Sequence, residues 1–230
     1  MKPKVSTKTN MASSVIKFSD LSLSDVTFSD IRKNANNGGK TIFLGGRSGT
    51  KLYIQLPKMK APFGLGVNEY DGKTSYSLPM AADDPTFVDF LKKLDDLVVT
   101  KIVENAETYL GKAMNETVVR EALYTALFRP PSDGKYSPIF KTKVLANQDG
   151  TFVPQVFTTD RQAFDLNKLE KGQYVTAIVH IPSIWFVGTK FGITVRLQQL
   201  RVTPSQKLTE YAFVDEDDVE EDDGSFDDSE

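Results

Sequence analysis

Cysteine is absent from all 230 residues, which removes disulfides, thiolate zinc sites and thiol nucleophiles at once. Histidine occurs once, at His180 within YVTAIVHIP. A Ser-His-Asp arrangement or an imidazole proton shuttle has to use it, yet an imidazole inside a run of strand-forming apolar residues reads as a structural group. Asp71, Asp83, Asp84, Asp95 and Asp96 show no spacing of the kind that metal-assisted or glycosidic chemistry demands. The expectation is a non-enzymatic chain with no metal site and no cofactor. No apolar run approaches the roughly 18 residues of a membrane span. The start, MKPKVSTKTNMASS, is basic but lacks an apolar segment after its lysines, so residues 1–14 read as a flexible basic arm rather than a secretory signal.

Lysine and arginine are also missing from Phe213 to Glu230, FVDEDDVEEDDGSFDDSE, which holds eleven acidic residues. Removing those eleven from the 31 Asp and Glu leaves 20 against 28 Lys and Arg, so the overall charge of −3 conceals a body near +8. Such asymmetry points to nucleic-acid interaction. The tail has too little apolar area to offset the loss of chain entropy, and residues 208–230 are expected to be disordered. It reads either as a solubilising appendage or as an intramolecular competitor for a phosphate-binding groove. Val219 and Phe226 interrupt the acids and could anchor a partner.

Between arm and tail the periodicity is mostly two. Ile16, Phe18, Leu21, Leu23, Val26, Phe28 and Ile31 alternate with Ser and Asp, which predicts short strands with polar bends. NANNGG at 34–39 is a turn cluster. In KLYIQLP, Leu52, Ile54 and Leu56 oppose Lys51, Tyr53 and Gln55, giving one apolar face and one with a cation, a ring and an amide. Three glycine-lysine neighbourhoods, at Gly39-Lys40, Gly49-Thr50-Lys51 and Gly72-Lys73, lack the first glycine or the residue order of a phosphate loop and read as β-turns. At Asp84-Pro85 the period becomes helical, with Phe87, Phe90, Leu91, Leu94, Leu97, Val98 and Ile102 on one stripe up to Gly111. A second helix is predicted over Asn115–Phe128, ended by Arg129-Pro130-Pro131. Strands return at YSPIFKTKVLA, NQDG closes a hairpin onto 152–158, and two long strands flank Val187–Gly192. Trp185, the only tryptophan, reads as packing. The whole predicts one mainly β domain over 15–207 with a helical insertion at about 84–128.

Basic and aromatic residues interleave on this frame. Lys58, Lys60, Phe63 and Tyr70 share one loop, Tyr76 lies on the next strand, and Lys141 and Lys143 project from one face of another. Cations that follow phosphates and rings that stack on unpaired bases are the two requirements of single-strand binding, although an ordinary loop with one buried Phe explains 58–70 equally well.

The glycine hairpin and terminal strand Gly188–Val202, ending Arg-Leu-Gln-Gln-Leu-Arg-Val, together with the acidic tail, resemble the single-stranded-DNA-binding proteins of nucleocytoplasmic large DNA viruses, particularly algal viruses, and their relatives in short-tailed bacteriophages. The resemblance implies an OB-fold-like barrel of five or more antiparallel strands with an inserted pair of α-helices. It implies a sequence-tolerant, single-stranded-DNA-binding protein of viral replication, recombination and repair, intracellular, at a replication site in host cytoplasm or nucleus. The candidate DNA contacts, taken from the basic and aromatic residues of the frame, are Lys51, Tyr53, Lys58, Lys60, Phe63, Tyr76, Lys141, Lys143, Lys190 and Arg196. Asp215, Glu216, Asp217, Asp218, Glu220, Glu221, Asp222, Asp223 and Phe226 would cover the groove and recruit replication proteins such as a polymerase or helicase-primase, and a homodimer is implied as well. The phage relatives end on an aromatic residue, whereas DDSE follows Phe226 here, which separates this tail from that pattern. A virion structural or scaffolding protein with a basic face and an acidic interaction tail is the alternative.

Overall fold

The computed structural model describes residues 15–33, 38–129 and 134–204. The basic arm, most of the 34–39 turn cluster and the acidic tail lie outside the described residues. In chain order the strands are β1 (Val15–Lys17), β2 (Thr27–Lys33), β3 (Lys40–Gly45), β4 (Tyr53–Ala61), β5 (Gly66–Tyr70) and β6 (Lys73–Ala81). The helical insertion follows as α1 (Pro85–Glu104), α2 (Ala106–Leu110) and α3 (Glu116–Val118), the last continued by a wide turn over Val119–Leu123. Then come β7 (Tyr124–Thr125), β8 (Phe128–Arg129), β9 (Ile139–Val144), β10 (Gln155–Thr158), β11 (Gln173–Val187) and β12 (Lys190–Val202).

Five of these strands form a partial ring in the order β4-β6-β9-β12-β11, returning from β11 to β4. Every neighbouring pair is antiparallel except β9 and β12, which run parallel. Four antiparallel joints and one parallel joint, with the last strand placed between the third and the fourth, are the topology of the OB fold. Two joints are thin: β4 meets β6 at Lys60 and Ala81, and β9 meets β12 at Lys143 and Arg196. The remaining edges of these strands are covered by others. The parallel strand β1 pairs with Tyr53–Gln55, and β7 and β10 line the same edge of β12 that meets β9.

The alternation expected from the sequence sets what lies inside. Leu52, Ile54, Leu56, Leu78, Met80, Phe140, Val144, Val175, Ala177, Val179, Val195 and Leu197 are buried, and their sequence neighbours face outward. Asp84 caps α1 by accepting from the Thr86 and Phe87 amides at 2.8 and 3.3 Å, with Pro85 in the first turn. Phe87 sends the helix stripe onto the ring, edge-on to Phe140 at 5.4 Å and to Phe18 at 5.3 Å. Asp71 and Gly72, with φ of 50° and 67°, make the two-residue turn between β5 and β6; two consecutive positive angles are what an Asp-Gly hairpin supplies. Gly49 closes a 3-10 turn and Lys40 opens β3, so none of the three glycine-lysine neighbourhoods leads into a helix.

Three elements depart from the sequence-based expectation. The long first helix breaks at Asn105, whose side chain donates to the Lys101 carbonyl at 3.0 Å. The second helix stops at Leu123 instead of Phe128, because tertiary partners win over local propensity. Tyr124 pairs with Phe191 on the edge of β12, its hydroxyl donates to Asp95 at 2.5 Å, and the Leu127 amide reaches the same carboxylate at 3.3 Å. The NQDG turn makes only a bridge from Ala146 to Phe152; Pro154 then withholds a ladder donor, and β10 leaves to join β12.

Asp95 is 6 % exposed, and burial pushes its carboxyl up to about 6 from 3.8, opposed by the bonds from Tyr124 and Leu127. The folded state therefore holds this proton more tightly than the unfolded chain, so Asp95's contribution to stability falls as pH rises from about 4 to 6. Asp95→Asn removes the titration. Its melting temperature relative to the parent should rise between pH 4 and pH 7, by an amount worth on the order of 2–3 kcal/mol. A difference that stays constant across that range would show that Asp95 ionises normally.

Candidate nucleic-acid interface

Cross-strand register assembles a surface that no single segment displays. On the outer side of β4, β11 and β12, Lys60 stands opposite Tyr174, and Lys58 opposite Thr176, which is itself opposite Arg201. The next row is Gln55, Ile178 and Gln199, extended by Gln155 of β10. Beyond it run Tyr53, His180, Arg196, Lys143 and Ser77, crossing five strands. A trough lies over the middle of these rows. One hollow of about 560 Å³ is lined by Val15, Tyr53, Gln55, Val153, Gln155, Ile178, Gln198 and Gln199. A second, of about 200 Å³, shares Gln55, Ile178 and Gln199 with it and adds Phe157, Thr158, Arg161, Thr176, Leu200 and Arg201. No carboxylate lines either hollow.

Among the described residues these cations have no carboxylate partner. Among the described residues the ion pairs join Arg47 to Asp25, Lys93 to Asp89, Lys101 to Glu104, and Arg120 to Asp96 and Glu116, all outside these rows. The Arg196 Nε is buried without a hydrogen-bond partner among the described residues. His180 lies against Tyr53 with ring centroids 5.0 Å apart, and burial, then Lys51 and Arg196, hold its imidazole below the usual histidine range. At neutral pH it is therefore an uncharged group among cations. Lys58 Nζ lies over the ring of Tyr174, 5.1 Å from its centroid, and Tyr174 is 49 % exposed, so a cation and a half-open aromatic ring are presented together.

Of the sequence-based candidates, Lys51, Tyr53, Lys58, Lys60, Lys143 and Arg196 fall on or beside these rows, Tyr53 as a largely buried part of the floor. Lys141 is exposed on the same face of β9, two residues from Lys143. Phe63 is 59 % exposed just beyond the Lys60 end of β4. Two candidates lie elsewhere. Tyr76 shares the side of β6 that buries Leu78 and Met80, and its ring meets Phe152 edge-on at 5.0 Å, so it is half-buried packing. Lys190 opens β12 at the far hairpin, opposite Val187 and six residues from Arg196, about 20 Å along the strand. Asp215 to Phe226 lie outside the described residues.

Sequence reasoning missed Tyr174, Phe157, Arg161, Arg201, Gln155 and Gln199, whereas it placed Gln55 on the same strand face as Lys51 and Tyr53. Tyr174 was accessible, since Tyr174, Thr176, Ile178 and His180 alternate with the buried Val175, Ala177 and Val179. Phe157 and Arg161 were not, because their position depends on β10 pairing with β12 across more than forty residues.

Trp185 is half-buried beside the far hairpin, opposite Gly192, where an added Cβ would stand 2.8 Å from its indole. The indole therefore occupies the space a side chain would fill, and only glycine fits beneath it. Trp185 thus packs within the sheet, in line with its reading from sequence.

Among solved structures, the chain is similar to gp2.5, a single-stranded DNA binding protein encoded by bacteriophage T7, at 14% identity and a TM-score of 0.46, covering 75% of this chain and 97% of that one. It is also similar to the single-stranded DNA-binding protein of bacteriophage Enc34 in complex with ssDNA, at 12% identity and a TM-score of 0.45, covering 78% and 97%. No curated protein matches the chain. Residues 77–215, from within β6 through the whole of β12, match the profile of a family of unknown function, and the chain belongs to that family, DUF5871.

Proposed function

We propose that this protein binds single-stranded DNA along the trough on the outer face of β4, β11 and β12, with little dependence on sequence, and shelters exposed strands during replication, recombination and repair. The observation that carries the reading is the set of cations without an ion-pair partner among the described residues, Lys58, Lys60 and Arg201 at one end and Lys143 and Arg196 at the other, around a neutral floor with a half-exposed ring at Tyr174. Phosphates follow the cations, and Tyr174 offers a stacking platform to a base whose face is free. A duplex hides its base faces and gains only the charge contacts. Fluorescence anisotropy with a labelled oligonucleotide, alone and as its duplex, tests this. Tyr174→Ala should weaken single-strand binding by about 1–3 kcal/mol with an unchanged salt slope, because stacking releases no counterions. Equal affinity for the two DNA forms would favour a structural protein that meets packaged genome through charge alone.

The acidic segment from Asp215 to Glu230 is proposed to act as a tethered competitor for the same cations and as the contact for replication proteins. A short tether holds it at about millimolar effective concentration. Deleting it should tighten DNA binding at low salt and leave binding at high salt unchanged, where screening has already released it. Unchanged affinity at low salt would remove the competitor role.

A further inference from the structure

The rows continue past His180. β11 runs on to Val187, and beyond the bulge between His180 and Ser183 its neighbour on one side changes from β4 to β3. Ile184 and Phe186 turn into the core, which leaves Ser183 and Trp185 on the outer side with His180. The next row is therefore Phe43, Ser183 and Thr194, and the one after it Arg32, Thr41, Trp185 and Gly192. Phe43 is 46 % exposed, although its neighbours Ile42 and Leu44 are buried. Ser29 and Asp30 bulge opposite it, and the Ser29 hydroxyl accepts from the Phe43 amide at 2.9 Å. The guanidinium of Arg32, which has no ion-pair partner among the described residues, stands over the ring, 5.5 Å from its centroid. A cation over a half-exposed ring thus recurs beside both ends of β11, as Lys58 on Tyr174 and as Arg32 on Phe43.

From this continuity we infer that single-stranded DNA leaves the trough past His180 and Arg196 and runs on over β3, where Phe43 stacks a further base. Asp30 is exposed in the same bulge and offsets the charge of Arg32, so stacking carries this contact and phosphate attraction adds little. Nine residues of β11 separate Tyr174 from Ser183, about 30 Å along the strand. At about 3.4 Å for each stacked nucleotide, the two rings bracket about nine nucleotides, within the roughly 4–16 that one OB fold covers. The trough alone, from Tyr174 to His180, spans about 20 Å and holds about six. The inference rests on single-stranded DNA occupying the trough and sets the length of strand the protein covers.

Anisotropy titrations with oligo-dT of about six and about twelve nucleotides, chosen to fall below and above the bracketed length, test the extension. Phe43→Leu keeps an apolar side chain on β3 and removes the ring. It should weaken the longer oligomer about 5-fold or more, with an unchanged salt slope, and leave the shorter one bound as by the parent. Trp185, the only tryptophan, lies diagonal to Phe43 across the β11–β3 pair, so the longer oligomer should quench its fluorescence. Parent-like binding of the longer oligomer by Phe43→Leu overturns the extension and leaves the trough as the DNA site, and so does an unquenched Trp185 at saturation. Equal loss for both lengths also overturns it, because Phe43 then belongs to the primary site. Failure of the parent to bind either oligomer overturns the functional reading itself.

Discussion

Replacing Arg196 and Lys143 together by alanine should weaken single-stranded DNA binding on the order of a hundredfold and reduce the salt slope by about 1.4. The two residues are cross-strand neighbours at the parallel joint between β9 and β12, so their charges reach the same stretch of backbone. Each phosphate neutralised on a single strand contributes about 0.7 to the slope, and a hydrogen bond to a charged group contributes about 1.5 kcal/mol or more. Neither residue has an acidic partner within the described structure, so their removal leaves no orphaned carboxylate to confuse the result. Lys93→Ala is the control: this lysine is paired with Asp89 on α1 at 2.7 Å, and its loss should leave the slope unaltered. Parent-like affinity and slope in the double variant would place the DNA backbone elsewhere on the molecule.

Phe140→Ala should destabilise the fold by about 3–5 kcal/mol, a large share of the total for a domain of this size. The ring is 2 % exposed, stands edge-on to Phe87 at 5.4 Å, and belongs to a strand paired with β6, β8 and β12. Truncation removes its apolar area and leaves a void where the helical insertion meets the ring. Thermal unfolding should shift down by roughly 6–20 °C, taking 2–4 °C for each kcal/mol. A loss below about 1 kcal/mol would mean that β9 does not carry its inner face into the core.

Both effects were partly legible in the sequence, for different reasons. Strict alternation at IFKTKV separates Phe140 and Val144 from Lys141 and Lys143 without any knowledge of neighbours, since the two faces of a strand are set by the backbone. The stripe and cap of α1 were equally local. Which strands meet was not local. Gln55, Ile178 and Gln199 are far apart in the chain and become one row only through register, and Gln199 joins Gln198 on the outer face because of a slip that no single-strand pattern records. Tyr76 shows the opposite failure. It was a candidate DNA contact, but it alternates with Leu78 and Met80 onto the inner side of β6, where Phe152 from another segment meets it edge-on.

The position of β12 governs when this molecule can be assembled. It is the last described strand, yet it supplies partners to β7, β9, β10 and β11, so the earlier strands wait with open edges until it arrives. Such distant pairings are slow to form, and a nascent chain released before Val202 would expose those edges to aggregation. Synthesis of the barrel is thus an all-or-nothing event, completed only as the final strand emerges.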